Sequence, residues 1–503
     1  MIGKRKQRLQ TLDRAAISLI AVLSVLLALL IWSGNACSGS DCLLHSGPRV
    51  RSFSWQDKSI SADDRAFILT FSRPMDKANV ENNLKIEPEL PGKFSWVGRT
   101  MAYTLDKPAP YGTEYSLRLQ GAREQFSDEE SKGTLIQPFE TTFTSRDRAF
   151  VYVGVEGEER GRLILFNLTL DQKTILTPKN LIVTDFKPYP NRAYISFSAL
   201  DTRDEDPSVV EQQIYRVTTG FNPDAAGDLA EGSIDLVVDN DEYRNLSYDL
   251  AQDGETLVVQ RINRADPADF SLWVKHGDDA IEPLNDLPSG DFLIAPDSTS
   301  VISSQGEGVA VFSLEPQDEP LDFLPKFGKV LDFSRDGTAA VMVDFNQNDP
   351  DKRYTQSLYF VNNQGSQEEL INVPGTILDC EFNPPTTKLY CLLTELIQGE
   401  QFVEQPYLAL IDLEADESAP IVKLPDYQDI NMSLAPDGLG LLFDQVMLDP
   451  DPMAEGLLRT SSGNAIASSR IWLLLTTSVI PDQEAPPQLE ELPMRGLRPQ
   501  WLP

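Results

Sequence analysis

Six short turn signatures recur between residues 186 and 444, and they restrict the fold more than any other feature of the chain. Each places an apolar residue three positions before an acidic, Pro or Tyr turn residue and then runs into an alternating strand. They read Phe186-Lys187-Pro188-Tyr189, Leu250-Ala251-Gln252-Asp253, Ile294-Ala295-Pro296-Asp297, Phe333-Ser334-Arg335-Asp336, Phe382-Asn383-Pro384-Pro385 and Leu434-Ala435-Pro436-Asp437. The leading residues lie 64, 44, 39, 49 and 52 positions apart. A period in this range, made only of short strands, predicts a β-propeller with one four-stranded blade per repeat. Rings of this kind host many functions, so the repeat sets the architecture and leaves the ligand open.

The ring is expected to occupy residues 147–503. Within 331–373 the four strands read as 331–333, 339–343, 357–361 and 369–373. The opening segment supplies only three, at 149–153, 162–167 and 173–176. The missing inner strand is assigned to 496–502 at the other end of the chain. That makes seven blades and pairs an edge that would otherwise stay open. Pro499-Gln500-Trp501 within that strand resembles the inner strand of TolB-type and WD40-like propellers. Asp-Gly at 253–254, 336–337 and 437–438 is hairpin chemistry, because it allows the positive φ angles a tight turn requires. Blade two departs from the pattern with an insertion over 201–213.

Residues 49–146 read as a separate β-sandwich of about seven short strands, including 66–71, 84–86, 93–96, 101–105, 114–119 and 139–144. Phe71-Ser72-Arg73-Pro74-Met75-Asp76, Gly92-Lys93-Phe94-Ser95-Trp96, Gly112-Thr113-Glu114-Tyr115 and the closing Phe139-Glu140-Thr141 are similar to the bacterial Ig-like domain of S-layer and cell-surface proteins. The resemblance implies a spacer or adhesive module without catalysis. Phe94, Trp96 and Tyr103 alternate along strands, as core aromatics do.

The first residues are of another kind. Lys4, Arg5, Lys6, Arg8 and Arg14 form a basic tail over 1–14, followed by an uncharged run over 15–32. At about 1.5 Å per helical residue this run reaches roughly 27 Å, enough to cross a bilayer core. Basic residues on the leading side place the tail in the cytoplasm and the bulk of the chain outside it. The expectation is a single-pass anchor in a bacterial inner membrane, a spacer over 33–48 and an extracytoplasmic remainder. Cleavage after Gly34-Asn35-Ala36 is the competing reading.

Acidic residues number 77 against 43 basic ones, for a formal charge of −34, and no basic stripe follows residue 14. Nucleic acid is thereby excluded as a partner. Four cysteines suit an oxidising compartment. Cys37 and Cys42 could close a small loop. Counting outward from the turn at 383–388 opposes Cys380 to Cys391, within disulfide reach, although two packed thiols would satisfy the same positions.

Signatures of catalysis are absent from the sequence. His45 and His276 are the only histidines, and no Gly-x-Ser-x-Gly elbow, phosphate loop, dinucleotide fingerprint or zinc spacing occurs. No cofactor or metal is expected. Asp-Pro recurs between second and third strands at Asp206, Asp266, Asp349 and Asp449, which would gather these carboxylates on one face. Asp344-x-Asn346-x-Asn348 resembles the start of a calcium loop, but Asp349 and Thr355 stand where Gly and Glu are needed. Asp-Pro is equally an ordinary turn starter. The sequence therefore points to a non-catalytic, membrane-anchored envelope protein that binds a protein or glycan partner. The alternative is a carboxylate-dependent lyase or glycosidase working in the propeller mouth.

Overall fold

The computed structural model describes residues 23–25, 47–125, 133–203, 211–221, 230–284, 290–305, 308–315, 322–397, 403–424, 429–452, 454, 458–460, 462–479 and 486–503. The expected anchor lies outside these residues apart from helical Leu23, Ser24 and Val25. No helix among the described residues is long and apolar enough to cross a membrane. Cys37, Cys42, His45 and Asp206 also lie outside them. The chain divides into two compact units, and segments 57–65 and 107–114 group with the larger one, which holds the residues from 143 onward.

In the smaller unit, strands Val50–Phe53, Ala66–Phe71, Thr100–Leu105 and Gly92–Val97 form one antiparallel sheet in that order. Period-two alternation buries Phe67, Leu69 and Phe71 beside Met101, Tyr103 and Leu105. The Phe67 ring packs on Phe53, Trp55 and Tyr103 at centroid distances of 5.3, 5.2 and 5.2 Å. Leu84–Glu87 pairs antiparallel with Ser116–Leu119 in a second sheet. A helix over Lys77–Asn83 interrupts the all-β expectation. Asp76 caps it by accepting the Asn79 amide at 3.1 Å. With Val80 its one buried residue, seven positions carry no helical period to read.

The larger unit contains seven four-stranded antiparallel sheets among the described residues. Blades two to seven are simple meanders whose first strands are Leu181–Pro188, Tyr243–Leu250, Phe292–Ile294, Lys329–Phe333, Ile377–Phe382 and Met432–Leu434. Blade one takes its inner strand from Gly496–Trp501, which pairs with Ala149–Gly154. Each pair of neighbouring blades shares an apolar cluster, including the seventh with the first through Ile471, Leu473, Phe150 and Trp501. Second strands are buried on both faces, as Tyr194–Asp201 shows, which explains their continuous apolar runs. This is a β-propeller.

The hairpins share one turn. The amides of Gly254, Ser298, Gly337, Thr386 and Gly438 donate to the carbonyl three residues back, at 2.7–3.0 Å. All five residues have φ between +57° and +72°. In blade two the same position is Arg192, whose amide donates to the Tyr189 carbonyl. The first signature is therefore offset. Pro188, not Phe186, is the equivalent of Leu250, because Pro188 opposes Ile195 as Leu250 opposes Leu257. Tyr189-Pro190-Asn191 fills the three positions that Ala251-Gln252-Asp253 fill in blade three, but without the acid, which hid the shift.

Candidate functional site

Inner strands line the channel of a propeller, so their polar residues define its chemistry. In blades two, three, five and six the inner strand carries a register shift, directly before Asp185, Ser247, Asp332 and Asp379. A bulge twists the strand and re-aims its side chains. The residue just before each leading position is Gln500, Lys187, Asp249, Leu293, Asp332, Glu381 and Ser433 in blades one to seven.

Four of these residues bind the next blade. Asp249 accepts the Ile294 amide at 2.9 Å, Asp332 that of Phe382 at 2.8 Å, Glu381 that of Leu434 at 2.8 Å and Ser433 that of Trp501 at 3.2 Å. Each latch satisfies a backbone donor that would otherwise be stranded. In blade two the equivalent of the latched residue is Pro188, which has no amide to offer Gln500, and Leu293 cannot accept one. Lys187 instead reaches Asp249 at 3.5 Å, and Arg498 reaches Asp185 at 3.4 Å. Asp444, wholly buried on the second strand of blade seven, accepts the amides of Asn431 and Arg498, both at 2.7 Å.

Enclosure changes how these groups titrate. Burial pushes Asp332 up to about 7 and Asp444 up to about 6. Burial, reinforced by Asp379, drives Glu381 well above the carboxylate range. Asp379 is raised by burial, against its bond from the Cys380 amide and the charges of Lys329 and Lys187. Lys187 is held above its ordinary value chiefly by Asp249, while a third of its side chain stays exposed.

A cavity of about 440 Å³ adjoins these strands. Asp379, Lys329, Asp291, Asn431 and Ser247 are among its polar lining residues, and Leu331, Leu378 and Ile430 among its apolar ones. Asp332 and Glu381 do not line it. The arrangement can hold a ligand carrying both hydroxyl and apolar surface, and it can keep carboxyl groups protonated near neutrality.

The acidic loops have a different character. Asp266, Asp349 and Asp449 each accept the amide two residues on, from Ala268, Asp351 and Asp451, at 3.1, 3.0 and 2.9 Å. Their carboxylates close their own turns. Asp344 likewise accepts the Asn346 amide at 2.8 Å, and the Asn346 side chain is buried against Thr355 and Ser357. Among the described residues no three His, Cys, Asp or Glu side chains converge as metal ligands. His276 bonds Thr256 through Nδ1 at 3.1 Å. Cys380 and Cys391 form a disulfide across blade six, both wholly buried. Sequence reading missed the channel acids, although an acid stands directly before the leading apolar residue in blades three, five and six.

No protein-family model matches the chain, and no curated protein matches its sequence. Among solved structures it is similar to TolB from Acinetobacter baumannii, at 10% identity over 84% of this chain and 83% of that one, with a TM-score of 0.40. It is also similar to oligogalacturonate lyase from Vibrio parahaemolyticus, at 13% identity over 59% of this chain and 87% of that one, TM-score 0.42. An oligogalacturonate lyase in complex with manganese gives 13% identity over 56% and 79%, TM-score 0.42. Likenesses this distant carry no argument about ligand or reaction.

Proposed function

We propose that the chain is a non-catalytic binding or scaffolding protein of a bacterial envelope. Residues 15–32 anchor it in the inner membrane, an Ig-like module over 49–146 acts as spacer, and the propeller binds a protein or glycan. The supporting observation is what the channel acids do. Asp249, Asp332 and Glu381 each accept a main-chain amide of the following blade, a structural task. A general acid and base must instead be free to exchange protons with a substrate. Full-length protein immobilised and exposed to envelope fractions should retain a partner that elutes with its mass unchanged, and protease added to spheroplasts should degrade the bulk of the chain. Elution of cleaved glycan, or full protection from protease, would defeat the reading.

A second reading keeps one specific observation on its side. Asp379 lines the cavity with a raised pKa, beside Lys329. A carboxyl of this kind can serve as general acid in a lyase or glycosidase.

A further inference from the structure

Outside the channel, the hairpin of blade two holds a side chain that its equivalents lack. Where other blades place Gly254, Ser298, Gly337, Thr386 or Gly438, this one places Arg192, at φ +64°. The left-handed region is costly for a long side chain, so an arginine there is out of keeping with turn chemistry alone. The side chain is also folded inward. Arg192 is 3% exposed, and its guanidinium lies 4.4 Å from the centre of the Phe221 ring. Its Nε and Nη2 are buried without a hydrogen-bond acceptor.

Charge makes the arrangement stranger. Burial, and then the neighbouring Arg146, lower the Arg192 guanidinium to about 10. Neither arginine makes an ion pair among the described residues. Arg146 donates through Nη1 to the main-chain oxygen of Pro503 at 3.3 Å. Of the nearby charges, Lys58 pairs with Asp64 at 2.6 Å, whereas Asp147 accepts the Asn167 side-chain amide at 2.8 Å and its charge favours the Arg192 cation. Arg146, Arg192, Asn191 and Phe221 line a cavity of about 530 Å³. Two guanidinium groups thus share one cavity with the carboxylates of Asp147 and Glu114 at its wall, neither of which forms a close ion pair with them, in a chain whose formal charge is −34. A buried donor with no acceptor is destabilising, and a planar guanidinium fork matches a planar or tetrahedral oxyanion.

We propose that this cavity binds an oxyanion, a carboxylate, sulfate or phosphate group, held by Arg192 with Arg146 beside it. Phe221 fixes the plane of the Arg192 fork, and Asn191 adds a neutral polar group at the wall. The inference applies to a binder and to an enzyme alike, because the cavity is separate from the channel.

Calorimetric titration of the full chain with sulfate, with phosphate and with glucuronate, each at constant ionic strength against chloride, tests it. Glucuronate separates a sugar acid from a free inorganic anion. One-site saturable binding by at least one of the three is expected. Arg192→Lys keeps the charge and loses the fork, so its affinity should fall at least roughly tenfold, equivalent to about 1.4 kcal/mol. Arg146→Gln should weaken the same anion and serves if the Arg192 variant fails to fold. Absence of saturable binding by all three anions would overturn the proposal, since the arginines would then be satisfied within the chain. So would binding that neither variant alters.

Discussion

Replacing Asp332 with Asn separates the two properties of a latch, its hydrogen bond and its charge. The amide oxygen of Asn can still accept the Phe382 N–H, now 2.8 Å from the carboxylate, but it carries no proton equilibrium. In the folded chain Asp332 titrates near 7 rather than at its ordinary 3.8, so the folded state binds more protons between these values than the unfolded one. Stability then falls as pH rises through that window. At about 1.4 kcal/mol per pKa unit, the ionised group costs on the order of 4 kcal/mol above pH 7, of which roughly 2.5 kcal/mol develops between pH 5 and pH 8. Asp444, Asp379 and Glu381 act in the same direction. Groups with lowered values, such as Asp201 at about 2, add stability that is lost only in stronger acid, outside this interval. Urea unfolding at pH 5 and pH 8 should therefore show the wild type losing stability toward pH 8. Asp332→Asn should lose less, with an advantage over wild type larger at pH 8 by about 2 kcal/mol, or roughly 3 °C for a ring of about 350 residues. An advantage that is absent, or equal at both pH values, would refute the assignment of a neutral carboxyl at the latch.

Three further outcomes are expected. Trp501→Ala removes a side chain that is 4% exposed and packed between Phe150 and Arg148, at 5.6 and 4.7 Å, so it should cost about 3–5 kcal/mol in thermal unfolding; wild-type melting would contradict the closure of the ring there. Replacing Cys380 and Cys391 together by Ala should cost about 3 kcal/mol for an 11-residue separation; a variant that melts as the oxidised wild type would refute it. Asp349→Asn and Asp449→Asn should melt as wild type with and without calcium, because an amide oxygen still caps each turn; a calcium-dependent difference would assign these loops a cation.

What the sequence reveals depends on whether the cause is local. The hairpins are readable because a single left-handed residue after an acid demands Gly or a small polar side chain, as at Asp253-Gly254 and Asp437-Gly438. Blade two escapes that rule through Arg192, which is why its motif reads two residues early. The helix Lys77–Asn83 is too short to show a period. The channel acids sit in plain view before Leu250, Phe333 and Phe382, but an isolated Asp on a strand reads as solvated surface. Their partners are amides 45 to 53 residues away, a distance only the closed ring brings to contact. Arg146 and Arg192 are 46 positions apart and share no motif, so their common cavity is a property of tertiary structure alone.

Turnover decides between the binder and the enzyme. Full-length protein would be incubated with neutral and acidic envelope polysaccharides, with new reducing ends and unsaturated uronate absorbance followed over time and retention of the glycan measured alongside. The expected result is no product from any polymer, in wild type and in Asp379→Asn alike. Product formed by the wild type and lost in Asp379→Asn would contradict the non-catalytic reading and make the channel cavity an active site.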